Sequence, residues 1–379
     1  MTEDEADSGL RRGEFPGSLF DTLLRAIQAL AKRRALCDNA ASKRLEGKKD
    51  MPQTVDLIRE AGDKVISGQH ITLEEAHRLI ALESPADIHH LIAQANRIRA
   101  EFHGDRIDLC AIVNAKSGRC SENCGFCAQS SHFKTEAAIY PLMTHEEIMD
   151  AGNKAVDAGA YRFSIVTSGK GVINRSDMDA IVREVEELTR MGIRVCASLG
   201  LLSDETALAL KQAGLERYHH NLETSRSHYP SICTTHDFQD RVDTVYTAHR
   251  AGLEVCCGGI LGLGESRKQR VELAFEIKDL PVRSIPINIL NPIPGTPLGD
   301  QPPLEPLEVL KTIAVFRFIL PDREIRTCGG REMNLRGLQP LMFTAGCTGT
   351  MIGNYLTTEG RNPEQDIRDI EDLGLTIAR

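Results

Sequence analysis

The sequence predicts a (β/α)8 TIM-type barrel with N-terminal helices, and three observations carry that expectation. From residue 109 onward, short apolar segments recur eight times, each running into polar or Gly-rich sequence and then a helical stretch. The 379 residues leave room for one such barrel, which takes roughly 200–250 residues or more. Polar or Cys residues stand at many of the segment ends, where a barrel of this kind gathers its chemistry. An open doubly wound sheet is the alternative, and the count of eight favours the barrel.

Taken in order, residues 1–50 hold an amphipathic stretch from Leu19 to Leu30 and a basic run ending Lys48-Lys49-Asp50. They carry no motif and are read as an N-terminal extension of loose order. Residues 51–379 are read as the barrel domain with a helical leading segment. Helical spacing shows in Val55, Ile58, Val65 and Ile66, and Thr72-Leu73-Glu74-Glu75 is a capping-box entry to a helix carrying Ala76, Leu79 and Ile80. Strands are expected near 109–115, 162–168, 193–199, 215–222, 253–261, 284–290, 323–328 and 345–352. Helices are expected near 144–158, 175–191, 204–213, 237–251, 267–279, 305–319 and 332–342.

Composition narrows the class. With 45 Lys+Arg against 54 Asp+Glu the formal charge is −9, which argues against phosphate-backbone binding and so against a nucleic-acid partner. Aromatic residues are 4% and Trp is absent, so base-stacking platforms are not expected either. No apolar run reaches the roughly 20 residues that span a bilayer, and Met1-Thr2-Glu3-Asp4-Glu5 is acidic where a secretory signal is basic. A cytoplasmic protein without membrane association is the expectation. Eleven cysteines, an odd number, suit metal ligation or catalysis better than a disulfide framework.

Directly after the first strand comes Asn114-Ala115-Lys116-Ser117-Gly118-Arg119-Cys120-Ser121-Glu122-Asn123-Cys124-Gly125-Phe126-Cys127. Cys120, Cys124 and Cys127 stand at i, i+4 and i+7 in one Gly-containing loop, a spacing that wraps one compact centre. Thiolates bind soft metals and iron–sulfur clusters. Zinc would want a fourth local ligand, and His132, the nearest, lacks a partner at finger-like spacing.

This CxxxCxxC loop after a first barrel strand resembles that of the radical S-adenosylmethionine (SAM) enzymes. The resemblance implies a 4Fe–4S cluster on Cys120, Cys124 and Cys127, with one iron open to chelate SAM. SAM is then cleaved reductively to methionine and a 5′-deoxyadenosyl radical. Phe126 resembles the aromatic that packs near the adenine. Longer matches resemble the biotin synthase family within that superfamily. They are Tyr218-His219-His220-Asn221-Leu222-Glu223-Thr224-Ser225, Ile232-Cys233-Thr234-Thr235, Arg241-Val242-Asp243-Thr244, Gly258 through Glu265, Ile285-Pro286-Ile287-Asn288, Gly295-Thr296-Pro297-Leu298 and Gly330-Arg331-Glu332. The likeness runs from about residue 55 to the C-terminus. It implies sulfur insertion between C6 and C9 of dethiobiotin, a sulfurtransferase reaction that forms biotin. Two other members of the superfamily, a hydrogenase-cofactor maturase and a methylornithine-forming mutase, are the competing enzymes. A non-catalytic iron–sulfur carrier is the competing reading from another class.

By position, the resemblance implies that Asn221 and Glu223 hold the SAM ribose and that Arg241 pairs with the SAM carboxylate, for which a guanidinium fork is well shaped. Asn221 and Asn288 would bind the ureido ring of dethiobiotin. His219 replaces the family's further Asn on strand four. Adjacent histidines on a strand point to opposite faces, so His219 and His220 do not form a metal pair. Gly262-x-Gly264 and Ser168-Gly169-Lys170-Gly171 lack the spacing of a dinucleotide or phosphate loop.

The family's usual second cluster is a 2Fe–2S centre, the sulfur donor, held by three cysteines and an arginine inside the barrel. The matching positions here are Ser164, Cys196, Cys256 and Arg326. A serine hydroxyl is a hard ligand, so that cluster cannot be held in the usual way. Cys328 lies two residues after Arg326, on the same strand face. Cys196, Cys256 and Cys328, with Arg326, are therefore expected to hold an auxiliary iron–sulfur cluster of different composition, with Cys347 as a further ligand candidate. Cys257 has the opposite parity and should face the helices. Cys37, Cys110 and Cys233 are read as packing thiols. The expected partners are SAM, dethiobiotin, a low-potential electron donor (flavodoxin or ferredoxin) and a second copy of the chain in a homodimer.

Overall fold

The computed structural model describes residues 51–172 and 174–378, so the expectation for residues 1–50, Cys37 included, lies outside the described residues. Eight parallel staves form a closed ring. They are β1 (Arg106–Lys116), β2 (Arg162–Thr167), β3 (Val195–Ser198), β4 (Arg217–His219), a fifth stave made of β5 (Glu254–Cys256) and β6 (Gly259–Leu261), β7 (Ser284–Ile289), β8 (Glu324–Thr327) and β9 (Gly349–Met351). β9 returns to β1 through Asp108↔Gly349 and Cys110↔Met351, so no edge is left in the ring. A short β10 (Thr376–Ile377) pairs with the first residues of β1. Each of the eight expected strands is present, and the open-sheet alternative is set aside by the closure.

The fifth stave is split for a steric reason. A Cβ on Gly258 would stand 2.0 Å from the Pro286 carbonyl oxygen, and one on Gly259 would stand 2.6 Å from that of Glu223. Only glycine lets the chain press so close to its neighbours. Both neighbours, β7 and the turn after β4, carry residues of the candidate site.

The helices are α1 (Met51–Ile66), α2 (Leu73–Ile80), α3 (Pro85–His103), α4 (His145–Asp157), α5 (Arg175–Arg190), α6 (Asp204–Gln212), α7 (Phe238–Arg250), α8 (Arg267–Lys278), α9 (Pro306–Ile319), α10 (Arg331–Leu335), α11 (Leu341–Thr344) and α12 (Pro363–Asp372). Capping boxes at Thr72–Glu75, Thr144–Glu147, Asp237–Asp240 and Ser266–Gln269 satisfy the first amides of α2, α4, α7 and α8. Each cap is worth about 1 kcal/mol, and the last three fix where a βα loop ends and its helix begins. α9 is buried from Val309 to Ile319, Lys311 and Arg317 included, because it packs against α3 as well as lying on the barrel. The single helix expected over 332–342 is instead two short ones. Arg336 adopts φ +52° and Pro340 follows, which breaks the hydrogen-bond ladder. No helix of the described residues is long and apolar enough to cross a membrane.

At the N-terminal end of the staves the barrel floor is ionic. Arg217 reaches Glu254 at 2.7 Å and Glu324 at 2.9 Å, Arg326 reaches Asp108 at 3.1 Å, and Arg162 reaches Glu216 at 2.8 Å. The three guanidiniums are almost wholly buried, so carboxylate partners are needed to offset their desolvation.

Candidate active site

The chain leaves β1 through Gly118 (φ +78°) and Arg119 (φ +51°), which turn it into the three-cysteine loop. The loop closes on itself: the Cys120 amide donates to the Gln129 carbonyl (3.0 Å), and the Ser131 amide donates to that of Cys120 (2.8 Å). It is also tied to the segment before α7. Asn123 Oδ1 accepts the amides of Thr234 (2.9 Å) and Thr235 (3.3 Å), its Nδ2 donates to the Thr234 hydroxyl (2.7 Å), and the Gly125 amide donates to the Ile232 carbonyl (2.8 Å). Glu122 pairs with His236 at 2.5 Å. Cys124 is buried, while Cys120 and Cys127 are half-buried. Cys124 Sγ lies 3.7 Å from Cys233 Sγ, which in turn lies 3.3 Å from His236 Nδ1. Cys233, read from the sequence as packing, therefore touches the loop. His132 is bound to the Ser121 carbonyl at 2.9 Å.

Beside this loop, at the C-terminal ends of the staves, is a cavity of about 290 Å³. Phe126, Cys127, Asn221, Glu223, Asn288, Cys196, Cys256, Cys328 and Arg326 all line it. Ser164 and His219 line it too, as do Arg162, Arg217 and Cys110, three residues the sequence reading did not select. Cys257 is fully buried in the hydrophobic core, as its parity requires. Cys347 packs in that core as well and is not part of the cavity wall, which corrects its candidacy as a ligand. The stave it precedes, β9, begins only at Gly349.

The polar groups are held in fixed orientations. Asn221 Oδ1 accepts the Gly258 amide (3.1 Å), and its Nδ2 donates to Glu223 Oε2 (3.3 Å). Asn288 Oδ1 accepts the Gly329 amide (3.1 Å), which identifies its oxygen and leaves Nδ2 for a ligand. Glu223 sits at φ +70°, a strained setting held by the Ile260 amide on its carbonyl (2.7 Å). Arg241 stands behind these residues. Its Nε donates to the Tyr229 hydroxyl (2.7 Å) and its Nη1 to the Asn221 carbonyl (2.9 Å) and Glu223 Oε1 (3.3 Å). It is buried and is not in the cavity wall.

The thiols differ electrostatically. Burial pushes Cys196 up to about 12 and Cys328 and Cys110 upward as well. At Cys256 burial also raises the pKa, but His219 and the guanidiniums of Arg326 and Arg217 outweigh it and bring the thiol down to about 7. Nε and Nη1 of Arg162 and Nη1 of Arg217 are buried without a hydrogen-bond partner in a wall that also carries thiols. Buried donors without partners are rare and point to an acceptor that belongs there. Soft thiols beside such donors fit an anionic iron–sulfur group.

Comparison with known proteins agrees with the fold and the loop. The radical SAM superfamily model matches residues 115–277, and the biotin and thiamin synthesis associated domain matches residues 286–376. A biotin synthase of Geobacter sulfurreducens is 54% identical over 324 residues, covering 85% of this chain and 98% of that protein. One of Pelotomaculum thermopropionicum is 52% identical over 322 residues, covering 85% of this chain and all of its own length. Among solved structures, methylornithine synthase superposes with a TM-score of 0.75 at 22% identity, over 84% of this chain and 97% of that one. A maturase of the FeFe-hydrogenase gives 0.74 at 20%, over 87% and 78%, and both likenesses speak for the fold alone. About half the residues are shared with nearly full-length relatives, the superfamily match spans the cysteine loop, and the chain belongs to the biotin synthase family of the radical SAM superfamily.

Proposed function

We propose that this chain forms biotin by inserting sulfur between C6 and C9 of dethiobiotin, with Cys120, Cys124 and Cys127 holding a 4Fe–4S cluster and the barrel thiols holding an auxiliary one. The observation that carries the reading is one shared cavity: the last cysteine of the loop, Phe126, Asn221, Glu223, Asn288 and the inner thiols all line it, with Arg241 standing behind Asn221 and Glu223. When bound, the loop cluster supplies the electron that cleaves SAM, and the auxiliary cluster supplies sulfur.

The chain's own residues bind and orient. Glu223 accepts hydrogen bonds from the SAM ribose diol, steadied by Asn221 and Arg241. Nε and Nη1 of Arg241 serve the protein, which leaves Nη2 for the SAM carboxylate. Phe126 packs on the adenine. Asn221 and Asn288 match the N–H and C=O groups of the ureido ring. Cys196, Cys256, Cys328 and Arg326 surround the auxiliary cluster. By holding SAM and dethiobiotin in one cavity, these residues would set the adenosyl group beside the carbon to be attacked.

A flavodoxin or ferredoxin donates the electron, the enzyme works as a homodimer in the cytoplasm, and residues 51–379 form the catalytic domain behind an N-terminal extension of residues 1–50. The test is an anaerobic assay with SAM, dithionite and dethiobiotin. Both 5′-deoxyadenosine and biotin are expected, and deoxyadenosine without biotin would refute the sulfur-insertion step.

A further inference from the structure

We propose that Cys110 is a fourth thiolate ligand of the auxiliary cluster, completing a set with Cys196, Cys256 and Cys328. This rests on the auxiliary-cluster reading above and extends it to a residue that no motif selects.

The register of the barrel carries the argument. In a closed eight-stave barrel, alternate staves contribute one side chain each to a layer, stepping two residues along the register from one such stave to the next. Starting at Cys110 on β1, the partner is Arg162 on β2. The partner of Ser164, two residues on, is Cys196 on β3. Cys196 pairs with Arg217, and Arg217 with Glu254, two residues before Cys256. Cys256 pairs with Ser284, and Ser284 with Glu324, two residues before Arg326. Arg326 pairs with Gly349, and Gly349 with Asp108, two residues before Cys110. The path closes on itself, so Cys110, Cys196, Cys256 and Arg326 form one layer. Cys328 stands two residues nearer the mouth on the same stave as Arg326, with one layer of even-stave residues between.

Ser164 belongs to the neighbouring layer of even staves, with His219, Pro286 and Met351. The thiol absent from position 164 on the second stave is thus matched by one on the first, a layer deeper. There the Arg326 guanidinium of the same layer offsets its charge, and the donors of Arg162 and Arg217 that lack a hydrogen-bond partner belong to residues of the same cavity wall.

A second observation separates Cys110 from the packing thiols. Of the thiols on or next to the staves, Cys257 and Cys347 pack in the hydrophobic core and are absent from the cavity wall, whereas Cys110, Cys196, Cys256 and Cys328 all line it. The Cys110 thiol makes a weak contact of 3.7 Å to the Thr350 carbonyl and lies within reach of the Arg326 guanidinium.

The test uses the full chain with Cys120, Cys124 and Cys127 replaced by alanine, so that bound iron reports the auxiliary cluster alone. Purified without oxygen, this background is expected to hold iron and sulfide. Adding Cys110→Ala should lower both at least about two-fold. Adding the near-isosteric Cys110→Ser should change the Mössbauer spectrum of what iron remains, because a hard oxygen replaces a soft sulfur. Ser164→Ala should leave iron, sulfide and spectrum as they are. Unchanged iron and spectrum in both Cys110 variants would overturn the assignment while leaving the auxiliary cluster standing. A background that holds no iron would overturn the cluster reading itself, and Cys110 with it.

Discussion

Glu223→Gln tests the SAM site most directly. Glutamine is isosteric and meets the same backbone strain at φ +70°, so the change isolates the carboxylate charge. Hydrogen bonds to a charged acceptor contribute about 1.5–3 kcal/mol each and neutral ones about 0.5–1.5 kcal/mol. For two ribose hydroxyls the net loss is about 1–3 kcal/mol, or roughly 5- to 150-fold in SAM affinity. Arg241 keeps the Tyr229 hydroxyl and the Asn221 carbonyl after the change, so the pocket should stay assembled. SAM binding by anaerobic equilibrium dialysis is the assay, with iron content measured alongside. A dissociation constant within two-fold of the parent protein, at equal iron, would refute the ribose role of Glu223.

Three further outcomes are expected. Asn288→Ala should raise the KM for dethiobiotin about 5- to 30-fold while deoxyadenosine still forms, because about 1–2 kcal/mol of ureido hydrogen bonding is lost; product ratios by chromatography check this. Asp366→Ala should cost about 3–5 kcal/mol in urea unfolding of the protein, since Arg331, with its side chain 0% exposed, would lose the carboxylate 2.6 Å away. His103 should make the fold acid-sensitive. Burial, joined by the Arg317 cation, lowers its folded pKa to about 4 from an ordinary 6.5, so the stabilisation is complete above about pH 6.5 and is lost as pH falls through about 4. Across that range about 3 kcal/mol should disappear, and urea unfolding at several pH values should show a smaller loss in His103→Gln.

Most of the barrel was legible because its staves are short apolar runs and its helices open on capping boxes, both of which are local signals. What escaped has tertiary causes in every case but α3. α12 has a polar surface and few apolar anchors; the buried Arg331–Asp366 pair holds it, and no local pattern announces that pair. α3 does carry a readable stripe, Ile88, Leu91, Ile92, Ala95 and Ile98, beyond the point where the helical reading stopped at Ile80. The cysteine loop and the residues matched to SAM were legible as motifs. The place of Cys110 in the cavity wall was not, because it depends on which residues stand opposite it across three other staves, and that register is set by barrel closure. Cys233 escaped for the same kind of reason: its contact with Cys124 joins residues 109 positions apart.

The Asn123 tether bears on how the enzyme matures. The three loop thiols are synthesised early, yet the side chain that sets the loop's shape finds its partner 111 residues downstream, at Thr234. A peptide ending before that point has the three thiols but lacks the Asn123 tether. The loop's full set of tethers is therefore complete only once the chain has passed its fourth stave.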